Sequence, residues 1–74
     1  MPHVSIKHFP KSLAPDQQAR LAEALTVAVQ EAFACDEGAV SIALQPVAPE
    51  LWDEQVYRPE ITDGRDALIK TPVY

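Results

Sequence analysis

The residue with the most unusual chemistry open to it is the second, in the run Met1-Pro2-His3-Val4-Ser5-Ile6-Lys7-His8-Phe9. Removal of Met1 would leave the ring nitrogen of Pro2 as a free secondary amine, held rigidly at the head of a strand. A free α-amino group has a pKa of roughly 8, and that of proline is somewhat higher. Partial burial lowers it by disfavouring the charged form. A base poised near neutrality is what proton transfer to and from carbon requires. Position alone also allows a plainer role, because proline has no N–H to give to a ladder and is tolerated at the first residue of a strand.

Few other residues compete for a chemical role. Trp52 is an aromatic side chain that either packs in a core or lines a site. Lys7, Lys11 and Arg58 are cations able to hold a carboxylate, although a solvated surface charge is the ordinary state of each. His3 and His8, five apart, fall on opposite faces of a strand and make no metal-ligand pair. Cys35 has Asp36 and Glu37 beside it, which raises rather than lowers a thiol pKa and argues against a nucleophile. No Ser-His-Asp arrangement and no phosphate loop is present.

The elements that must position these residues are easily read. His3 to Phe9 reads as a strand, with Val4 and Ile6 on one face and Ser5 and Lys7 on the other; Pro10 stops it. A helix is expected from about Pro15 to Ala34. Pro15 suits its first position, Asp16 complements the positive end of the dipole, and Leu21, Leu25, Ala28, Val29, Ala32 and Phe33 make one apolar face. Gly38 is the expected stop signal. Ala39 to Val47 reads as a second strand, in which Val40, Ile42 and Leu44 alternate with Ser41, Ala43 and Gln45. Strand, helix, strand is a β-α-β unit of the α/β class, with parallel strands. Beyond it, Pro49–Trp52 reads as a tight turn presenting an aromatic ring, Gln55–Arg58 as a short strand or arm, and Pro59–Gly64 as turn-rich. Asp66–Lys70 reads as a short helix ended by Pro72.

Composition bounds the rest. With 74 residues the chain is expected to be one domain, 1–74, too small to bury a large core without help. A single cysteine rules out an intrachain disulfide, and no Cys/His cluster points to structural zinc. Two strands and one helix cannot cover both faces of a sheet. The uncovered face is expected to meet another copy of the chain. The net charge of −5 and six scattered basic residues argue against nucleic acid. No apolar run reaches the ~18 residues of a membrane span, no signal peptide is visible, and the lone thiol fits a reducing compartment, so cytoplasm is the default expectation.

Four stretches together resemble the tautomerase superfamily, the group of 4-oxalocrotonate tautomerase, and within it the small bacterial PptA-type branch. They are Met-Pro-His-Val-Ser-Ile-Lys at the start, Val-Ser-Ile-Ala-Leu-Gln at 40–45, Pro49-Glu50-Leu51-Trp52, and Ala67-Leu68-Ile69-Lys70 with Pro72 and Tyr74. The resemblance implies a β-α-β subunit completed by oligomerisation, a dimer in this branch and a hexamer in many relatives. It implies Pro2 as general base after Met1 is removed, moving a proton between the enol oxygen and a carbon of a 2-oxo acid, with no metal or organic cofactor.

The departures from that family are informative. Its better-known members carry two arginines where this chain has Ser12 and Ser41. Neither serine can pair a carboxylate bidentately or lower the pKa of proline through positive charge. Trp52 matches the aromatic position, and Lys11 in the first loop is the candidate to replace part of the missing charge. The expected site is therefore Pro2 as catalytic base with Trp52, Ser41 and Lys11 as substrate contacts. The expected substrate has an aromatic or apolar portion, such as a phenylenolpyruvate. Two alternatives stay open. Glu50 and Asp53 flank Trp52, which allows a hydratase, decarboxylase or dehalogenase of the same superfamily. A catalytically silent oligomeric module would need Pro2 only to start a strand.

Overall fold

A computed structural model describes residues 1–74. Strand β1 (His3–His8) leads into helix α1 (Pro15–Phe33), then strand β2 (Ser41–Pro46) and a short helix α2 (Pro49–Trp52). Helix α2 runs directly into a wide-turned π-helical segment, Asp53–Thr62. One-turn 3₁₀ helices occupy Glu37–Ala39 and Arg65–Ala67.

The two strands are parallel and in register from His3 opposite Ser41 to His8 opposite Pro46. Val4 therefore lies across from Ile42, and Ile6 from Leu44, forming one apolar face. Helix α1 packs on that face, where its Leu21 and the preceding Leu13 share a cleft with Ile6 and Leu44. The opposite face of β1 carries Ser5 and Lys7, which line a cleft with Val56, Ile61 and Leu68 of the carboxyl-terminal segment. The expected β-α-β unit is thus present, with α1 on one side of the sheet and the last third of the chain against the other side of β1.

Local chemistry explains the start of α1. Pro15 sits at the first helical position, and the Ala14 N–H donates to Oε1 of Gln17 at 2.8 Å, so one of the orphan donors of the first turn is satisfied. The helix ends at Phe33, one residue short of the expected Ala34. Ala34 adopts the left-handed conformation, φ 52°, and its N–H donates to the Gln30 carbonyl. Gly38 instead falls within the 3₁₀ turn, and β2 begins at Ser41 rather than Ala39.

The carboxyl-terminal third departs most from its sequence reading. Pro49–Trp52 is a helical turn, and the expected arm at 55–58 and turn at 59–64 are mostly one continuous helix containing Pro59. Proline removes a donor from a helix interior and crowds the preceding turn. Wider i→i+5 turns absorb such a defect, and the Asp63 N–H closes one on the Arg58 carbonyl at 2.9 Å. The chain then folds back so tightly that a Cβ on Gly64 would stand 3.0 Å from the Glu60 carbonyl oxygen. The expected helix at 66–70 is reduced to the single turn Arg65–Ala67.

Only Val47 and Val56 are buried, at 4% and 6% exposure. Both lie at the junction of sheet and carboxyl-terminal segment. The apolar face of α1 is only partly covered: Leu21, Leu25 and Val29 are half-buried, whereas Ala28 and Ala32 are exposed and Phe33 is 69% exposed. No helix is long and apolar enough to cross a membrane.

Candidate active site

Pro2 precedes β1 and is half-buried, with Met1 fully exposed before it. The Pro2 carbonyl accepts a hydrogen bond from the Ser41 N–H at 3.2 Å, which fixes the first turn of chain against the head of β2. The neighbouring side chains are tied as well. His3 Nδ1 and Ser41 Oγ share a hydrogen bond of 2.6 Å, as their directly opposed register allows. Pro2, His3 and Ser41 thus form one group at the amino end of the sheet. While Met1 is attached, the Pro2 nitrogen is an amide and has no basicity; its removal would leave a secondary amine at the head of β1.

The other expected site residues are elsewhere. Trp52 meets Phe9 edge to face, with ring centroids 5.1 Å apart at 88°. Phe9 follows the last residue of β1, seven positions beyond Pro2. At roughly 3.3 Å per extended residue that is more than about 20 Å. Lys11 is exposed and lines a cleft with His8 and Phe9, also at this carboxyl end. Ser12 is exposed in the same loop. One chain therefore brings Pro2 and Ser41 together, and places Trp52 and Lys11 at the far end of the same strand.

That far end has features the sequence reading missed. Trp52 Nε1 donates to the Tyr74 hydroxyl at 3.2 Å, the Tyr57 hydroxyl donates to the Tyr74 carbonyl at 3.3 Å, and the two tyrosine rings lie 5.7 Å apart. Lys7 forms an ion pair with Glu60, and Arg58 forms another with Asp53 at 2.8 Å. Lys7 and Trp52 together line two adjoining clefts. One, of about 490 Å³, is walled by Ser5, Val56, Ile61 and Leu68. The other, of about 540 Å³, is open to solvent and lined also by His8, Phe9 and Tyr74. Of these groups Trp52, Lys7 and Arg58 were readable in advance as candidates, but their partners were not; a pairing across 53 positions leaves no local signal.

No protein-family model matches the chain. Comparison with individual proteins is clear. The chain is 39% identical to Tautomerase PptA of Cronobacter sakazakii (strain ATCC BAA-894) and 39% identical to Tautomerase PptA of Escherichia coli O157:H7. It is 34% identical to Tautomerase PptA of Pectobacterium carotovorum subsp. carotovorum (strain PC1). Each alignment spans 100% of this chain and 97% of the relative. The chain belongs to the PptA-type tautomerases. It is accordingly an isomerase of the tautomerase type.

Proposed function

We propose that this tautomerase acts on enols of 2-oxo acids bearing an aromatic or apolar group, phenylenolpyruvate being the type, with Pro2 as general base once Met1 is removed. The observation that carries the reading is the end-to-end match to proteins named Tautomerase PptA. The Pro2 nitrogen takes the enol O–H proton as the C–O bond becomes a carbonyl, and a proton passes from the same nitrogen to the adjacent carbon. Nothing is oxidised or reduced, and one base serves both transfers. The Ser41 hydroxyl, which shares a hydrogen bond with His3, is a neutral group at this end of the sheet able to donate to a substrate oxygen. The apolar clefts at Trp52 suit an aryl group better than a second carboxylate.

The catalytic unit in this reading is a homodimer of a single domain, 1–74, in the cytoplasm. Support comes from the incomplete core of one chain and from the separation of Pro2 from Trp52 and Lys11. The outer edge of β1 is unpaired in the two-stranded sheet. Antiparallel pairing of two β1 edges about a two-fold axis would set the amino end of one strand beside the carboxyl end of the other. The partner subunit's Trp52 and the partner subunit's Lys11 then complete the site around Pro2.

The test is ketonisation of phenylenolpyruvate followed by ultraviolet absorbance, with Met1-trimmed wild type and Pro2→Ala both verified by intact mass. Rate well above buffer that collapses in the variant supports the reading. Equal rates in the two proteins remove the base role of Pro2. Rates no faster than buffer in both favour the silent module.

A further inference from the structure

We infer that Lys7 is the carboxylate receptor of a binding cleft shared with Trp52, and that Glu60 is an internal competitor occupying the receptor in the free protein. The inference deepens the proposed function and rests on it for the ligand class, an aryl-substituted monocarboxylate.

Lys7 is not a free cation in this structure. Its ammonium group is paired with the Glu60 carboxylate, so the structure already displays a carboxylate at this position. The pair stands at the wall of a cleft whose other lining is largely apolar, with Trp52, Val56, Ile61 and Leu68 among its residues. Lys7 also lines the adjoining cleft with Phe9, Trp52 and Tyr74. A ligand with a carboxylate at one end and an aromatic ring at the other matches this order of groups. The aryl group meets Trp52 and Phe9, and the carboxylate meets Lys7.

Displacement of Glu60 is inexpensive. The side chains of Lys7 and Glu60 are 30% and 49% exposed, and ion pairs open to solvent in this way are worth little. Glu60 can rotate into water and leave Lys7 to the incoming anion. The wide-turned helix and the close return of the chain at Gly64 hold the backbone of Glu60 in place, so its carboxylate stays close enough to compete. A ligand without a negative charge cannot displace it, and the competition becomes a filter for anions.

Trp52 is the only tryptophan of the chain, which gives the cleft a built-in optical reporter. The test is titration of Trp52 emission with 3-phenylpropanoate and with its neutral counterpart 3-phenylpropan-1-ol. The expected result is saturable perturbation by the acid, with affinity about two- to five-fold above that of the alcohol, as an ion pair open to solvent provides. Lys7→Met should reduce acid binding to the level of the alcohol. Glu60→Gln should tighten acid binding several-fold and leave the alcohol unchanged. A gain of affinity cannot arise from misfolding, so the second variant guards the first. Equal affinities for acid and alcohol in the wild type, or unchanged or weakened acid binding in Glu60→Gln, would overturn the inference. Binding is read without turnover. Acid binding that survives in a Pro2→Ala protein with lost catalysis, or in one that never catalysed, separates the fate of this inference from that of the base assignment.

Discussion

The two ends of β1 are built on opposite principles. The amino end holds a potential base, Pro2, tied through backbone and side-chain hydrogen bonds to Ser41, and it has no enclosing wall of its own. The carboxyl end has walls, an aromatic pair and a cation, with His8 and Glu60 among its lining residues. Backbone pairing accounts for the first end, because parallel register alone sets His3 opposite Ser41. Side-chain burial accounts for the second, where the carboxyl-terminal segment folds over Lys7 and Phe9. One chain builds the reactive group at one end of a six-residue strand and the enclosure at the other; in the proposed dimer a second copy brings the two together.

The sharpest way to break this comparison is to inactivate each end separately. Pro2→Ala is expected to lower kcat/KM by about 10²–10⁴, the range of a lost general base. Trp52→Ala should be similarly crippled in binding. Mixing the two variants, unfolding and refolding them together, should restore activity if sites are shared between protomers. Each two-fold heterodimer then holds one intact site, and statistical pairing returns about a quarter of the wild-type rate. If both ends acted within one chain, mixing would restore nothing.

A smaller effect is expected at the amino end. Ser41→Ala removes the hydroxyl that bonds His3 Nδ1. One hydrogen bond is worth about 0.5–1.5 kcal/mol, so kcat/KM should fall by roughly three- to ten-fold, measured with the same ultraviolet assay. Ser41→Thr, which keeps the hydroxyl, should recover most of the loss. If the alanine variant is unaffected, the ordering of the amino end is structural only.

The smallest effect tests the frame that joins the two ends. Ala34 pays the left-handed penalty at the end of α1. Ala34→Gly should relieve about 1 kcal/mol and raise the thermal midpoint by several degrees with activity unchanged. A fall in Tm would mean that the loss of backbone restriction in the unfolded chain outweighs the relief.

The contrast between the ends also explains what the sequence disclosed. The β-α-β frame was legible because Val4, Ile6, Ile42 and Leu44 alternate and Leu21, Leu25 and Val29 recur at helical spacing, so local periodicity reports the buried face. The end of α1 was legible to within a residue, but its stop signal was not: glycine is the usual left-handed residue, and here Ala34, four positions before Gly38, takes that conformation. Pro49, Pro59 and Gly64 read as punctuation and concealed a helix, since i→i+5 turns tolerate a proline that an α-helix would not. Pro2 was legible as a candidate from its position, and Ser41 only through the family resemblance. The Lys7–Glu60 pair was invisible, because it depends on how far the last third of the chain folds back.

The parallel crossover also bears on when Met1 can be removed. The bond to be cut lies next to the carbonyl that Ser41 holds in the finished sheet. During synthesis β1 has no strand to pair with until β2 has been made, 38 residues later. At ribosomal rates of about 5–20 residues per second, that leaves roughly 2–8 s in which the amino terminus emerges as loose chain, open to an aminopeptidase. A hairpin would have closed almost at once. Topology thus lengthens the time in which the amino terminus is unpaired chain, and Met1 stays exposed even in the finished fold, both in favour of the amine on which the proposed chemistry depends.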